Sequence, residues 1–119
     1  MKILVIEDDK ECLDSINLAF KIYLPGAELV AAYRGISGVE KVKVDTPDII
    51  ILDLGLPDIC GFEVLERIRD FCDIPVIILT ARTEEEDRDR SLALGADEYM
   101  YKPFKPLQLL SRVQEIVAS

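Results

Sequence analysis

Asp48-Ile49-Ile50-Ile51-Leu52-Asp53 sets four aliphatic residues between two carboxylates. Two of the four can face each side, which is the pattern of a parallel strand covered on both faces. In open α/β sheets, ligands gather in the crevice beyond the carboxyl ends of such strands. Asp53 therefore stands where a carboxylate can act as a metal ligand or as a nucleophile.

Outward from this strand the chain alternates strand and helix signals five times, with no linker or low-complexity segment. Lys2–Glu7 is the first strand. Lys10–Tyr23 is a helix with Leu13, Ile16, Phe20 and Tyr23 on its apolar side and Asp9 as its N-cap. After Pro25-Gly26 comes a second strand, Glu28–Ala32. Ile36, Val39 and Val42 mark a short second helix that stops before Pro47. Helix three spans about Phe62 to Phe71 and buries Phe62, Leu65 and Ile68. Strand four is Pro75–Thr80, with proline tolerated as its first residue. Helix four, Glu84–Leu94, is expected to open with a Thr83–Glu86 capping box and to close on Gly95 in a left-handed turn. Its run Glu84-Glu85-Glu86-Asp87-Arg88-Asp89-Arg90 offers little to bury. Strand five is Glu98–Tyr101, and Pro106 starts helix five with Leu109, Leu110, Val113 and Ile116 inward. Right-handed crossovers turn this alternation into a doubly wound, five-stranded parallel sheet. The common flavodoxin-like order 2-1-3-4-5 puts strands one and three at the switch point.

Residues 1–119 are expected to form one domain. Half of them are hydrophobic and 31% are charged. The net charge of −9 argues against direct nucleic-acid binding, which needs a basic face. No apolar stretch approaches a membrane span, and Met1-Lys2-Ile3-Leu4-Val5-Ile6-Glu7 reaches an acid too early for a signal peptide. Cys12, Cys60 and Cys72 form no CxxC pair and are expected to stay reduced in a cytoplasm. Histidine is absent. That removes His-based acid–base catalysis, His-activated nucleophiles and the commonest zinc sites. Any phosphohistidine must come from a partner.

In the 2-1-3-4-5 order, Glu7 and Asp8 end strand one beside Asp53, Thr80 ends strand four, and Lys102 follows strand five. Taken singly, Asp8 and Asp9 are ordinary helix caps and Asp53 a turn former. Together they make a crowd of carboxylates that a hard divalent cation would turn from repulsion into binding. An all-oxygen donor set favours Mg2+, held by Glu7, Asp8 and Asp53, with the Gly55 carbonyl as a further ligand. The chemistry favoured is phosphoryl transfer onto Asp53, because charge spread over the phosphoryl oxygens calls for cations and donors. Lys102 would neutralise one such oxygen, and the Thr80 hydroxyl would donate to another.

Glu7-Asp8, Asp53-Leu54-Gly55-Leu56-Pro57, Thr80-Ala81 and Lys102-Pro103-Phe104, in this order and spacing, resemble the receiver domain of bacterial response regulators, the CheY-like domain. The resemblance covers essentially the whole chain. It implies that Asp53 is the phosphoacceptor of a sensor histidine kinase, with Glu7 and Asp8 the acidic pair. It also implies that Thr80 is the switch hydroxyl, Lys102 the conserved-type lysine and Lys102-Pro103 a cis bond. Tyr99 matches the switch aromatic, whose ring turns inward when Thr80 is drawn to the phosphoryl group. Thr80 through Phe104 further resembles the OmpR/PhoB subfamily, which dimerises through helix four, strand five and helix five. Arg88, Leu92, Asp97, Glu98 and Arg112 match that surface, while Gln108 and Gln114 replace an acid and a base, leaving Glu98–Arg112 the one full pair.

A flavodoxin-type FMN carrier would need a hydroxyl- and glycine-rich phosphate loop where Glu7-Asp8-Asp9 stands. A haloacid-dehalogenase-type phosphatase would want an aspartate at position 55, which is Gly. A pseudo-receiver acting only as an interaction module is disfavoured because no core site residue is missing. The domain is thus expected to be a switch with weak self-phosphorylation and autodephosphorylation, tuned partly by Gly55 and Arg82, rather than an enzyme proper. Its output is expected to be transcriptional, through an effector domain beyond Ser119; the alternative is a stand-alone receiver working by protein contact or as a phosphorelay intermediate.

Overall fold

In a computed structural model, which describes residues 1–118, five strands form one parallel sheet: β1 Lys2–Ile6, β2 Glu28–Ala32, β3 Ile49–Leu52, β4 Val76–Thr80 and β5 Glu98–Tyr101. The intervening helices are α1 Lys10–Tyr23, α2 Gly35–Asp45, α3 Gly61–Arg69, α4 Glu85–Ala93 and α5 Pro106–Ala118. Ser119, the last residue of the expected domain, lies outside the described residues. The strand order is β2-β1-β3-β4-β5, the common flavodoxin-like order expected for five such units. Because β1 and β3 are neighbours, the chain winds away from their shared edge in both directions and leaves a crevice there.

Period-2 alternation of buried aliphatics builds a core on each face of the sheet. Leu4, Ile6, Ile50, Leu52, Val76 and Ile78 point to the side covered by Val39 and Val42 of α2 and by Phe62, Leu65 and Ile68 of α3. Ile3, Val5, Ile49, Ile51, Ile77 and Leu79 meet α1 and α5 on the other side. Each strand of aliphatics without polar interruption is what two covered faces require.

Several sequence expectations shift. Tyr23 is 49% exposed rather than inward. The 14-residue helix spans about 21 Å, against roughly 17 Å for a five-residue strand, so its last turn overhangs the sheet. Ile36 also turns outward, because α2 faces the sheet through Gly38, where an added Cβ would lie 2.7 Å from Ile6 Cδ1. Ile36 lies two residues, about 200° of helix, from that contact. The Thr83–Glu86 capping box is replaced by Glu84 at the cap, without a side-chain bond to the helix. Three acids in the first turn, Glu85, Glu86 and Asp87, complement the helix dipole instead. Gly95 does close this helix at φ +106°.

Helix α4 buries only Ser91 among its residues. Polar contacts hold it in place of apolar ones. The Arg90 guanidinium lies 4.1 Å from the Phe62 ring centroid, and Asp87 pairs with Arg82 at 3.8 Å. Exposed contacts of this kind are each worth about 1 kcal/mol or less. The helix with little to bury, as read from the charge run, is thus present.

Candidate functional site

The strand ends deliver the expected groups to one edge. The Glu7 N–H donates to Ala32 O at 2.9 Å, and the Asp53 N–H donates to Ile6 O at 3.1 Å. Both residues therefore continue the ladder just past their strands, which fixes their backbones beside each other. The Lys102 N–H likewise donates to Thr80 O at 2.9 Å, bringing the ends of β4 and β5 into the same row. The Lys102-Pro103 bond is cis, as the resemblance implied.

Glu7, Asp8 and Asp53 each offer a carboxylate oxygen, and these oxygens lie within 4.8 Å of one another. Glu7 is 2% exposed and Asp53 9%, whereas Asp8 faces solvent. Glu7 Oε2 accepts from the N–H groups of Asp8 at 3.0 Å and Asp9 at 3.3 Å, which turns the chain into α1. Asp9 is the N-cap, accepting from Glu11 N at 3.1 Å. Lys102 Nζ bonds Glu7 Oε1 and lies 3.3 Å from Asp53 Oδ2. The lysine thus spans two buried acids, a pairing with Glu7 that the sequence had not signalled.

Burial pushes the Glu7 carboxyl above the usual carboxylate range, partly opposed by its Lys102 bond and reinforced by Asp53. For Asp53 burial acts in the same sense, but hydrogen bonding with Glu7 and the Lys102 charge prevail and hold it below that range. Lys102 is desolvated too, yet its bond to Glu7 and the charge of Asp53 raise it above an ordinary lysine. The outcome is an ionised Asp53 beside a reluctant acid, with an ammonium between them. Burial and a hydrogen bond to Glu7 push the neighbouring Cys12 thiol up to about 12, so it stays protonated and unreactive. All three cysteines are unbridged.

Thr80 is buried, and its Oγ1 accepts from Arg82 N at 3.4 Å. Tyr99 is also inward. Its hydroxyl donates to the Arg82 carbonyl at 2.9 Å, and burial followed by the Asp87 charge raises it to about 12. Gly55 contributes its N–H to Asp53 Oδ1 at 3.4 Å. The donor set fits Mg2+, being three clustered carboxylates without a nitrogen ligand in the chain.

The sequence and the fold both match known proteins. The family described as response regulator receiver domain covers residues 3–114. The chain belongs to this family. As a receiver it is 37% identical over 114 residues to the transcriptional regulatory protein CreB of Escherichia coli, covering 95% of this chain and 49% of that protein. It is 36% identical over 115 residues to the transcriptional regulatory protein KdpE of Mycobacterium tuberculosis, covering 97% and 50%. These relatives place it near the OmpR/PhoB group. The chain spans about half the length of the curated relatives it matches. Among solved structures, the CheY-like receiver domain protein from Methanospirillum hungatei JF-1 superposes with a TM-score of 0.91 at 30% identity, covering 98% of this chain and 93% of that one. Receivers of two-component systems serve in signalling rather than as enzymes of metabolism.

The residues matched to a dimer face behave differently from the central site. Arg112 Nε donates to Glu98 Oε2 at 2.6 Å within the same chain, and Arg112 also bonds Glu115. Asp97 Oδ2 accepts from Val76 N at 2.9 Å and from Arg69 Nη2 at 3.3 Å. Both pairs are closed inside the monomer. Arg88 and Leu92 remain at the surface of α4, Leu92 at 38% exposure.

Two anchors had no sequence signal. Arg69 donates to the carbonyls of Ile74 and Gly95 and so ties the α3–β4 turn to the end of α4. Asp58, in the loop between Asp53 and α3, accepts from the first two amides of α2. Each joins segments far apart in the chain, which local patterning does not register.

Proposed function

We propose that this receiver takes a phosphoryl group onto Asp53 from a sensor histidine kinase and relays the event through Thr80, Tyr99 and α4. The observation carrying this reading is the ionised, 9%-exposed Asp53 carboxylate held against Lys102 and Glu7 at the mouth of the sheet. An Asp53 oxygen would attack phosphorus. The bond from phosphorus to the donor's imidazole nitrogen breaks, and its electron pair stays on that nitrogen. With a proton on the other ring nitrogen of the donor, the product is an acyl phosphate on Asp53 and a neutral imidazole on the partner.

Glu7, Asp8, Asp53 and the Gly55 carbonyl would hold Mg2+, which supplies charge neutralisation for the carboxylates and the phosphoryl oxygens. Lys102, already beside Asp53, would pair with a second oxygen as the new negative charge competes with Glu7 for it. The Thr80 hydroxyl would donate to a third and draw on the turn at Arg82, which Tyr99 holds by its carbonyl. Helix α4 follows this turn and is held by weak polar contacts, so its position is the element most easily biased. Slow self-phosphorylation and hydrolysis belong to the same site. Gly55 and Arg82 stand near its opening and would tune those rates. Incubation with acetyl phosphate and Mg2+ should add one phosphoryl mass; an unmodified chain under those conditions would overturn the reading.

The similarity to the transcriptional regulatory proteins CreB and KdpE, each about twice as long as this chain, supports a transcriptional output through an effector segment other than residues 1–119, and a cytoplasmic setting goes with that reading. No helix among the described residues is long and apolar enough to cross a membrane. A homodimer through α4, β5 and α5 would have to reopen the internal Glu98–Arg112 and Arg69–Asp97 pairs or use Arg88 and Leu92. Sedimentation with and without beryllofluoride is expected to show a monomer that dimerises only with the mimic. Monomer in both conditions would count against this face.

Asp8→Asn is expected to stabilise the metal-free protein by under about 1 kcal/mol, because the exposed Asp8 is screened yet repels two buried acids. The same change should weaken Mg2+ binding by more than about tenfold, the loss that even outer supporting residues of metal ligands produce. Matched thermal melts in EDTA and in saturating Mg2+ check both signs. A loss of stability in EDTA would contradict the repulsion account.

A further inference from the structure

We infer that Asp58 is a positioning residue that clamps the loop after Asp53 onto α2 and so sets the spacing of the carboxylate site; the inference rests on the Mg2+-dependent phosphoacceptor reading above.

Asp58 Oδ1 accepts from Gly35 N at 2.7 Å, and Oδ2 accepts from Ile36 N at 2.9 Å. One carboxylate thus satisfies the first two amides of α2. The helix has no cap of its own, since Arg34 at its N-cap position offers no side-chain bond. The usual capping residue sits next to its helix in sequence. Here the cap comes from 23 residues downstream. Burial would raise the Asp58 carboxyl, but the Ile36 and Gly35 amides lead a set of backbone bonds that hold it down to about 2.

The clamp has packing beneath it. A Cβ at Gly35 would fall 2.6 Å from Ile59 Cγ1 and 2.7 Å from Val64 Cγ2, so the loop lies directly on the helix start. At the loop's far end, a Cβ at Gly61 would fall 2.6 Å from the Asp53 carbonyl oxygen, and Gly61 N donates to Leu54 O at 2.9 Å. Between these fixed points runs Gly55-Leu56-Pro57. It includes the glycine whose N–H meets Asp53 Oδ1 and whose carbonyl is the candidate metal ligand.

The other end of the linkage reaches the acidic pair. Helix α2 approaches β1 at Gly38, where a Cβ would lie 2.7 to 2.9 Å from three Ile6 side-chain atoms. Ile6 immediately precedes Glu7 and Asp8. Asp58 therefore closes a ring: Asp53 loop to α2, α2 to Ile6, Ile6 to the acidic pair, and across the sheet back to Asp53. A capping carboxylate that merely stabilised α2 would act equally from a local position. This one joins the two halves of the site.

Asp58→Ala is expected to weaken Mg2+ binding roughly tenfold, read by titration of amide chemical shifts at Gly55 and Asp8 in the intact chain. Asp58→Asn, which keeps one acceptor oxygen, should recover part of that loss. Val42→Ala serves as the comparison, because it loosens the buried side of α2 without touching the loop. It should lower the melting temperature at least as much as Asp58→Ala while leaving the Mg2+ midpoint unchanged. In Asp58→Ala the amides of Gly35 and Ile36 should exchange with deuterium faster even without metal. Wild-type Mg2+ affinity in Asp58→Ala, or equal weakening in Val42→Ala, overturns the positioning role. A wild-type chain that shows no Mg2+ response overturns the metal reading as well.

Discussion

Asp53→Asn is expected to reduce phosphoryl labelling by acetyl phosphate by about a hundredfold or more, the scale of effect seen when a covalent nucleophile is removed. Asparagine keeps the shape of the side chain and its acceptor oxygen toward Gly55 N, but its neutral amide is a poor nucleophile. Asp53 is the carboxylate that its hydrogen bond with Glu7 and the Lys102 charge keep ionised against the cost of burial. Glu7 is pushed the other way and is engaged by the amides of Asp8 and Asp9, so it is a poor substitute. Asp8 faces solvent, whereas Lys102 pairs with Glu7 and Asp53. Intact-mass measurement with and without hydroxylamine reads the outcome, since hydroxylamine removes an acyl phosphate. Hydroxylamine-sensitive phosphate persisting in the variant would move the acceptor to another carboxylate.

Much of this architecture was legible because its determinants are local or periodic. The aliphatic runs ending at Glu7, Asp53 and Thr80 predict buried parallel strands, and once the common 2-1-3-4-5 order is taken the ladder aligns their ends. Lys102 could be placed for the same reason, one residue beyond β5. Where the reading failed, a tertiary contact had overridden a local pattern. Ile36 looked inward by spacing, but the Gly38–Ile6 approach rotates the helix away from it. Thr83 looked like a cap, but the chain enters α4 two residues later, at Glu85. Asp58 was invisible because its partners are selected by the fold alone. The pairing of Glu98 with Arg112 was legible as a pair, whereas only coordinates reveal that the monomer satisfies it internally.

The geometry also separates two duties within one cluster. Glu7 and Asp53 are buried acids that share a single lysine, while Asp8 stays in water. An arrangement with two inner acids and one shared cation leaves net negative charge, which favours a divalent ion entering from the Asp8 side. On the proposed phosphorylation, Lys102 would exchange Glu7 for the added phosphoryl charge, so a cation already in the site would offset part of it. Economy of this kind explains why a chain without histidine can still host the reaction proposed for it.

Lys102→Met should be the most destabilising of these substitutions when metal is withheld. Methionine fills similar volume but leaves Glu7 and Asp53 without their cation, and breaking a buried pair from one side typically costs about 3–5 kcal/mol. Protonation of Glu7 caps the penalty, so about 3 kcal/mol at neutral pH in EDTA is expected. The pH dependence follows from the shifts. The folded pKa of Lys102 is raised, so its stabilisation is complete below about 10.4, the unfolded value, and is lost only as pH rises through the higher folded one. Glu7 is raised too, so its protonated form favours folding and that contribution fades as pH rises above the ordinary carboxylate range. The Asp53 contribution, with its folded pKa lowered, is present above that range and is lost as pH falls through the folded value. Removing Lys102 should raise both carboxyls, so the variant's deficit should be largest at neutral pH and shrink as both acids protonate toward pH about 4. Urea melts of the wild type and Lys102→Met across that range in EDTA measure this difference. A Glu7→Gln and Lys102→Met double variant should recover much of the neutral-pH loss, because it removes the buried charge left unpaired. A deficit that is independent of pH, or a double variant no more stable than Lys102→Met alone, would show that packing rather than charge binds Lys102 to this site.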